Sequence, residues 1–154
     1  MANRYWVGGT GNWSDTAHWS DTSGGSSGFS VPTSSDDVYF DSNSGTAVAT
    51  VNVISYCKSL VCTGFSGSIT NANSISFYLL CYGSLILSAA MSWTMRILGM
   101  YATTTGNTIN TFGKDIVTSI SGGLVFNGVG GEWTLASNVN SNWTISLTAG
   151  TLNL

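Results

Sequence analysis

Between residues 85 and 97 apolar side chains fall on every second position: Leu85, Leu87, Ala89, Met91, Trp93, Met95 and Ile97. Ser88, Ser92, Thr94 and Arg96 lie between them. A period of two puts one set of side chains on one face of an extended chain, so the segment predicts a half-buried strand. Ala89, Ala90, Met91 and Met95 are good helix formers, which makes a helix the rival reading. The length of the alternating run favours the strand.

Further strands are expected at 46–53, 59–62, 67–70, 74–80, 107–111, 115–120, 123–126, 132–136, 142–147 and 151–154. Turn signals separate them, among them Thr63-Gly64, Asn71-Ala72-Asn73, Gly106-Asn107, Ser121-Gly122-Gly123, the glycines from Gly128 to Gly131, and Ala149-Gly150. Strand centres recur about every nine to ten residues, an all-β rhythm that suits a sandwich or a parallel β-helix-like solenoid. The solenoid is preferred. Gly123-Leu124-Val125-Phe126, Glu132-Trp133-Thr134-Leu135 and Asn142-Trp143-Thr144-Ile145 resemble one another, and each such unit buries its inner face only against its neighbour. The buried set is expected to be Leu85, Leu87, Met91, Trp93, Met95, Ile97, Leu124, Phe126, Trp133, Leu135, Trp143, Ile145 and Leu147. The only proline is Pro32, so strand ladders are free to form elsewhere. Residues 148–154 read as a turn and a new strand without a polar cap, an end that further chain or a second subunit is expected to cover.

Charge narrows the function. Only 7% of residues are charged, against roughly 25% in an average soluble domain. The polar surface must come from Ser, Thr, Asn and Gly, which suits a β shell with tight turns and a protein that works inside an assembly. The cations Arg4, Lys58, Arg96 and Lys114 are scattered, so no nucleic-acid partner is expected. The apolar stretches are too short and interrupted for membrane insertion, and the N-terminus lacks the pattern of an export leader. The three cysteines, Cys57, Cys62 and Cys81, are odd in number and lack zinc-ligand spacing; they read as buried thiols.

Two textures divide the chain. Residues 1–45 are rich in Gly, Ser, Asp and Trp, and residues 46–154 form the repetitive strand region. The first part contains Tyr5-Trp6-Val7-Gly8-Gly9-Thr10-Gly11-Asn12-Trp13, then His18-Trp19, Val31-Pro32-Thr33 and Asp36-Asp37-Val38-Tyr39-Phe40-Asp41. This opening resembles that of a group of β-solenoid proteins found in phage virions and on bacterial surfaces. They begin with Tyr-Trp-Val-Gly-Gly-x-Gly-x-Trp, a second Trp, and Pro-x-x-x-Asp-Asp-x-x-Phe-Asp. The resemblance covers roughly residues 4–70, including Cys57-Lys58-Ser59-Leu60 and Gly64-Phe65-Ser66-Gly67. It implies a structural or adhesive role and brings no catalytic residues with it.

Trp6, Trp13 and Trp19 admit two readings, as an anchoring plug over the first rung or as a stacking platform for sugar rings, and the plug is the favoured one. Asp36, Asp37 and Asp41 are weak calcium candidates, because they lack the loop spacing of a calcium-binding hand; the plainer reading is that Asp36 and Asp41 accept backbone hydrogens at turns around a strand at 38–40. The carboxylates of Asp36, Asp37, Asp41, Asp115 and Glu132 show no spacing that marks a hydrolytic pair, and His18 has no nucleophile elbow to serve. No enzyme activity, resident metal or cofactor is expected. The sequence-level expectation is a virion structural protein, such as a phage tail fibre, spike or capsid decoration. It would be a homo-oligomer, a trimer by analogy, bound to other virion proteins. The alternative is a bacterial surface adhesin that binds a host-surface glycan.

Overall fold

The computed structural model describes residues 1–72, 78–117, 122–142 and 144–154. It is nearly all β, coiled as a β-solenoid of about four turns. In chain order the strands are β1 (Asn3–Trp6), β2 (Gly11–Asn12), β3 (Trp19–Ser20), β4 (Asp37–Tyr39), β5 (Val48–Val51), β6 (Ser55–Cys57), β7 (Leu60–Val61), β8 (Ser68–Asn71), β9 (Leu79–Cys81), β10 (Leu85–Ile86), β11 (Ser92–Thr94), β12 (Ile97–Met100), β13 (Asn107–Asn110), β14 (Gly123–Leu135) and β15 (Ile145–Asn153).

The pairings sort these strands into three stacks. One runs β1, β4, β7, β10, β13 and the second half of β14; another runs β2, β5, β8 and β11. The third runs β6, β9, β12, the first half of β14 and the first half of β15. Every pairing in the stacks is parallel and, within the short strands, in register. The same position of successive turns therefore lies one above the other. Val38 sits on Leu60, Leu60 on Leu85 and Leu85 on Ile109, and Ala49, Ile69 and Trp93 form a second inward column. Hydrogen bonds that climb one turn span 23 to 26 residues. Rungs of two to four residues are far too short to stand alone. Their stability comes from this stacking, which buries Val38, Leu60, Ile69, Leu79 and Met100 completely.

The expectation of one strand over 85–97 needs correction. The segment is β10, β11 and β12, one strand on each side of the coil. The alternation survives because the chain turns corners while keeping one set of side chains inside. It slips at those corners: Ser88 is buried and Ala89 exposed, and Ile97 is only half-buried, with Leu98 and Met100 taking the interior. Ile145 and Leu147, expected inside, are 46% and 53% exposed, on a strand that pairs with β14 alone among the described residues. Leu135 is half-buried. Trp143 and parts of the strands expected at 74–80, 115–120 and 142–147 lie outside the described residues. The strands expected at 123–126 and 132–136 are one bent strand, β14, whose register with β15 shifts around Asn127. Residues 1–45 supply the rungs β1, β2 and β4 as well as a cap.

Candidate functional site

The densest chemistry lies at the N-terminal end. Gly8 and Gly9 adopt φ of 76° and 81°, which turns the chain back directly after β1. Trp6 then lies between the face of His18, at 4.8 Å and 6° between planes, and Phe40, at 5.4 Å and 18°. Trp19 meets Trp6 and Trp13 edge-on at 5.1 and 4.9 Å. The Trp6 Nε1–H donates to the Gly9 carbonyl and the Trp19 Nε1–H to the Trp13 carbonyl, both at 2.8 Å. Phe40 passes the stack on to Phe65, 5.0 Å away in the next turn. Trp6, Trp13 and Trp19 are at most 1% exposed. They cover one another and the first rungs, which is the arrangement of a plug; a sugar ring would reach them only after the plug opened.

The backbone edge of β1 is closed as well. β3 pairs antiparallel with β1, and the Phe29 N–H in turn donates to the Trp19 carbonyl. Arg4 bonds the Ser30 carbonyl and hydroxyl at 2.9 and 2.8 Å and lies 6.0 Å from the Phe29 ring centre. His18 is held by a 3.0 Å contact between Nδ1 and the Val7 carbonyl, beneath Gly11. A side chain at Gly11 would collide with that imidazole, which explains the glycine there.

The three aspartates considered for calcium do separate jobs. Asp36 accepts from the Ala2 N–H, the Thr33 N–H and the Thr33 hydroxyl at 2.9, 3.0 and 2.7 Å. Asp37 pairs with Lys58 at 3.5 Å. Asp41 caps the short 3₁₀ turn Ser42–Ser44 and exchanges hydrogen bonds with it. Among the described residues no three metal-ligating side chains gather into a cluster. Asp115 bridges to Asn140, and Glu132 accepts from Asn153 in the last turn.

Asp36 ties the start of the chain to the first rung, and its own carbonyl accepts from Lys58 N–H at 2.7 Å. Burial works against its charge, but the Thr33 side chain, the Thr33 and Ala2 N–H groups and Arg4 together hold its pKa below the usual carboxylate value. A lowered folded pKa adds stability above the unfolded pKa, and that stability is lost as pH falls through the folded value. Asp36→Ala is therefore expected to cost about 2 kcal/mol near neutral pH. The difference from wild type shrinks below about pH 4. Denaturant titrations at a series of pH values check this; a pH-independent difference contradicts it.

The opposite end is built differently. β15 pairs with β14 along one side and has no partner strand on the other among the described residues. It contains neither charge nor proline, the usual devices that blunt a strand edge. Ile145 and Leu147 are exposed on it, Val129 at the neighbouring corner is 80% exposed, and Leu135, Val139 and Leu154 line a shallow groove beside it. The sequence pointed to this end through the uncapped turn and strand at 148–154.

Two regular outer surfaces escaped the sequence reading. Thr50, Thr70 and Thr94 form a hydroxyl column beside Val48, Ser68 and Ser92. Tyr82 and Tyr101 lie 5.9 Å apart near the exposed Tyr56. Both are visible only once the register is known. No protein-family model matches this chain, and neither a curated protein nor a solved structure gives a significant match.

Proposed function

We propose that this chain is a virion structural protein, a fibre, spike or decoration subunit of a phage particle, working by assembly and anchoring. The observation that carries the reading is the contrast between the two ends. At one, an aromatic plug packs over the first rungs and a short antiparallel strand covers the edge of β1; the other offers an uncharged strand edge flanked by Ile145, Leu147 and Val129. Such an edge pairs readily with another β-strand, whether of a second copy or of a neighbouring virion protein. The charge-poor surface and the resemblance of the Tyr5–Trp13 segment and its downstream Asp36-Asp37 motif to virion and bacterial-surface solenoids support the same reading. A homo-oligomer follows from it, trimeric by analogy with other fibres.

Two measurements test the proposal. Mass spectrometry of purified phage particles is expected to find the chain as a particle component; its absence from particles overturns the virion role. In solution, the purified protein is expected to associate, and Ile145→Lys with Leu147→Lys to shift it to monomer. Because both positions are exposed, the variant monomer is expected to keep the β-rich circular-dichroism spectrum of the parent. A parent protein that is monomeric at high micromolar concentration overturns the assembly mechanism. Binding on a glycan array without association would favour the adhesin alternative.

A further inference from the structure

We propose that Cys57 and Cys81 are a disulfide site that staples two successive turns of the solenoid. The two residues end β6 and β9 and are direct register partners on adjacent parallel strands. Both side chains are fully buried, and both thiols are free in this structure. Cys57 Sγ donates to the Leu80 carbonyl at 3.9 Å. Cys81 Sγ also donates toward the Lys58 and Ser84 carbonyls, at 3.3 Å each.

Three cysteines allow three pairings, and the register selects one. Cys62 belongs to a different column, beside Phe40 and Leu87, where neither neighbouring turn carries a thiol. Adjacent strands stand about 4.7–4.9 Å apart, within the Cα separation that a disulfide spans. Side chains in register on parallel strands stay about that far apart, so forming the bond requires χ1 rotation and a slight approach of the two corners. Those corners already touch. The Tyr82 N–H donates to the Cys57 carbonyl at 3.0 Å, and a Cβ on Gly83 would lie 2.9 Å from the Lys58 carbonyl oxygen.

The oxidant assigned is a hydroperoxide, small enough to reach a buried thiol. Cys81 reacts first, because the coupling of the two adjacent thiols lowers the Cys81 pKa while raising that of Cys57. The Cys81 thiolate attacks one peroxide oxygen; the O–O bond breaks, hydroxide leaves, and a sulfenic acid forms. The Cys57 sulfur then attacks Cys81 Sγ. The S–O bond breaks and the hydroxyl leaves as water with the Cys57 proton. Two thiols have lost two electrons, and one hydrogen peroxide has become two waters. The product closes the loop between the turns and removes conformational freedom from the unfolded chain.

The test treats the full-length folded protein with hydrogen peroxide, blocks remaining thiols by alkylation, and maps peptides without reduction. The expected result is a Cys57–Cys81 linked peptide, an intact mass lower by two hydrogens before alkylation, and alkylation at Cys62 alone. Cys57→Ser and Cys81→Ser each abolish the link, and Cys62→Ser leaves it in place. A repeat a few degrees below the melting temperature lets the turns open transiently, so that poor access does not hide the reaction. A link through Cys62, a sulfinic acid at Cys81 without a link, or three unreacted thiols in both experiments overturns the proposal.

Discussion

Trp6→Ala is expected to cost about 4 kcal/mol of folding stability, the largest loss of any single truncation in the plug. The indole is completely buried, with His18 on one side, Phe40 on the other and the edge of Trp19 against it. Its removal leaves a cavity in a region whose packing is made of ring contacts. The Gly9 carbonyl also loses the hydrogen bond that fixes the turn after β1. Collapse is difficult, because the Trp6 carbonyl is held by the Ser44 hydroxyl of the Ser42–Ser44 turn at 2.8 Å. Chemical denaturation followed by far-UV circular dichroism measures the loss. A change below about 1 kcal/mol would mean that the indole is not the piece that closes this end.

Gly128→Ala is expected to be among the most damaging small substitutions, by about 3 kcal/mol. An added Cβ would sit 1.8 Å from the Ala102 carbonyl oxygen. That atom belongs to the backbone of the turn beneath and has no rotamer by which to move away. The glycine lets β14 bend at the corner where its register with β15 shifts. Gly113→Ala is the control: its φ is 74°, but open space surrounds the added methyl. Its expected cost is about 1–2 kcal/mol, from left-handed backbone alone. Thermal melts of the two variants separate the contributions. Equal losses would show that close approach between turns is not what Gly128 provides.

The fold class was legible because period-two alternation and dense turn signals belong to short stacked strands, and few other architectures need both. Leu85, Leu87, Met91, Trp93, Met95, Leu124, Phe126 and Trp133 all lie inside, as the alternation required. Corners were illegible. The alternation keeps inward side chains inward around a bend, so nothing between Leu85 and Ile97 announced that three strands were present. β6 was missed because Ser55 and Cys57 are its inward residues while Tyr56 faces out, a pattern of burial contrary to side-chain size.

At the ends, sequence identified the right segments and less of their chemistry. The tryptophan-rich opening was recognisable, but the stacking of His18 on Trp6 depends on a turn conformation that His18 and Trp19 alone do not reveal. In the acidic run Asp36-Asp37-Val38-Tyr39-Phe40-Asp41, the turn-accepting roles of Asp36 and Asp41 are legible and their partners are not. In the fold, Asp36 turns to the chain start, Asp37 to Lys58 and Asp41 to its own turn. Side chains on alternate faces of a strand diverge, and spacing in sequence does not reveal which neighbours await them.

The parallel stacking gives the molecule an unequal response to load. Inter-strand hydrogen bonds lie along the coil axis, so tension stretches every bond of a rung boundary together, and while the thiols are reduced only the winding backbone links the described rungs covalently. Compression meets packed side chains already in contact, column upon column, from Val38 to Ile109 and from Ala49 to Trp93. Close-packed interiors yield little to squeezing. A coil of this kind bears a push along its length better than a pull, the mechanical character of a strut and not of a tether.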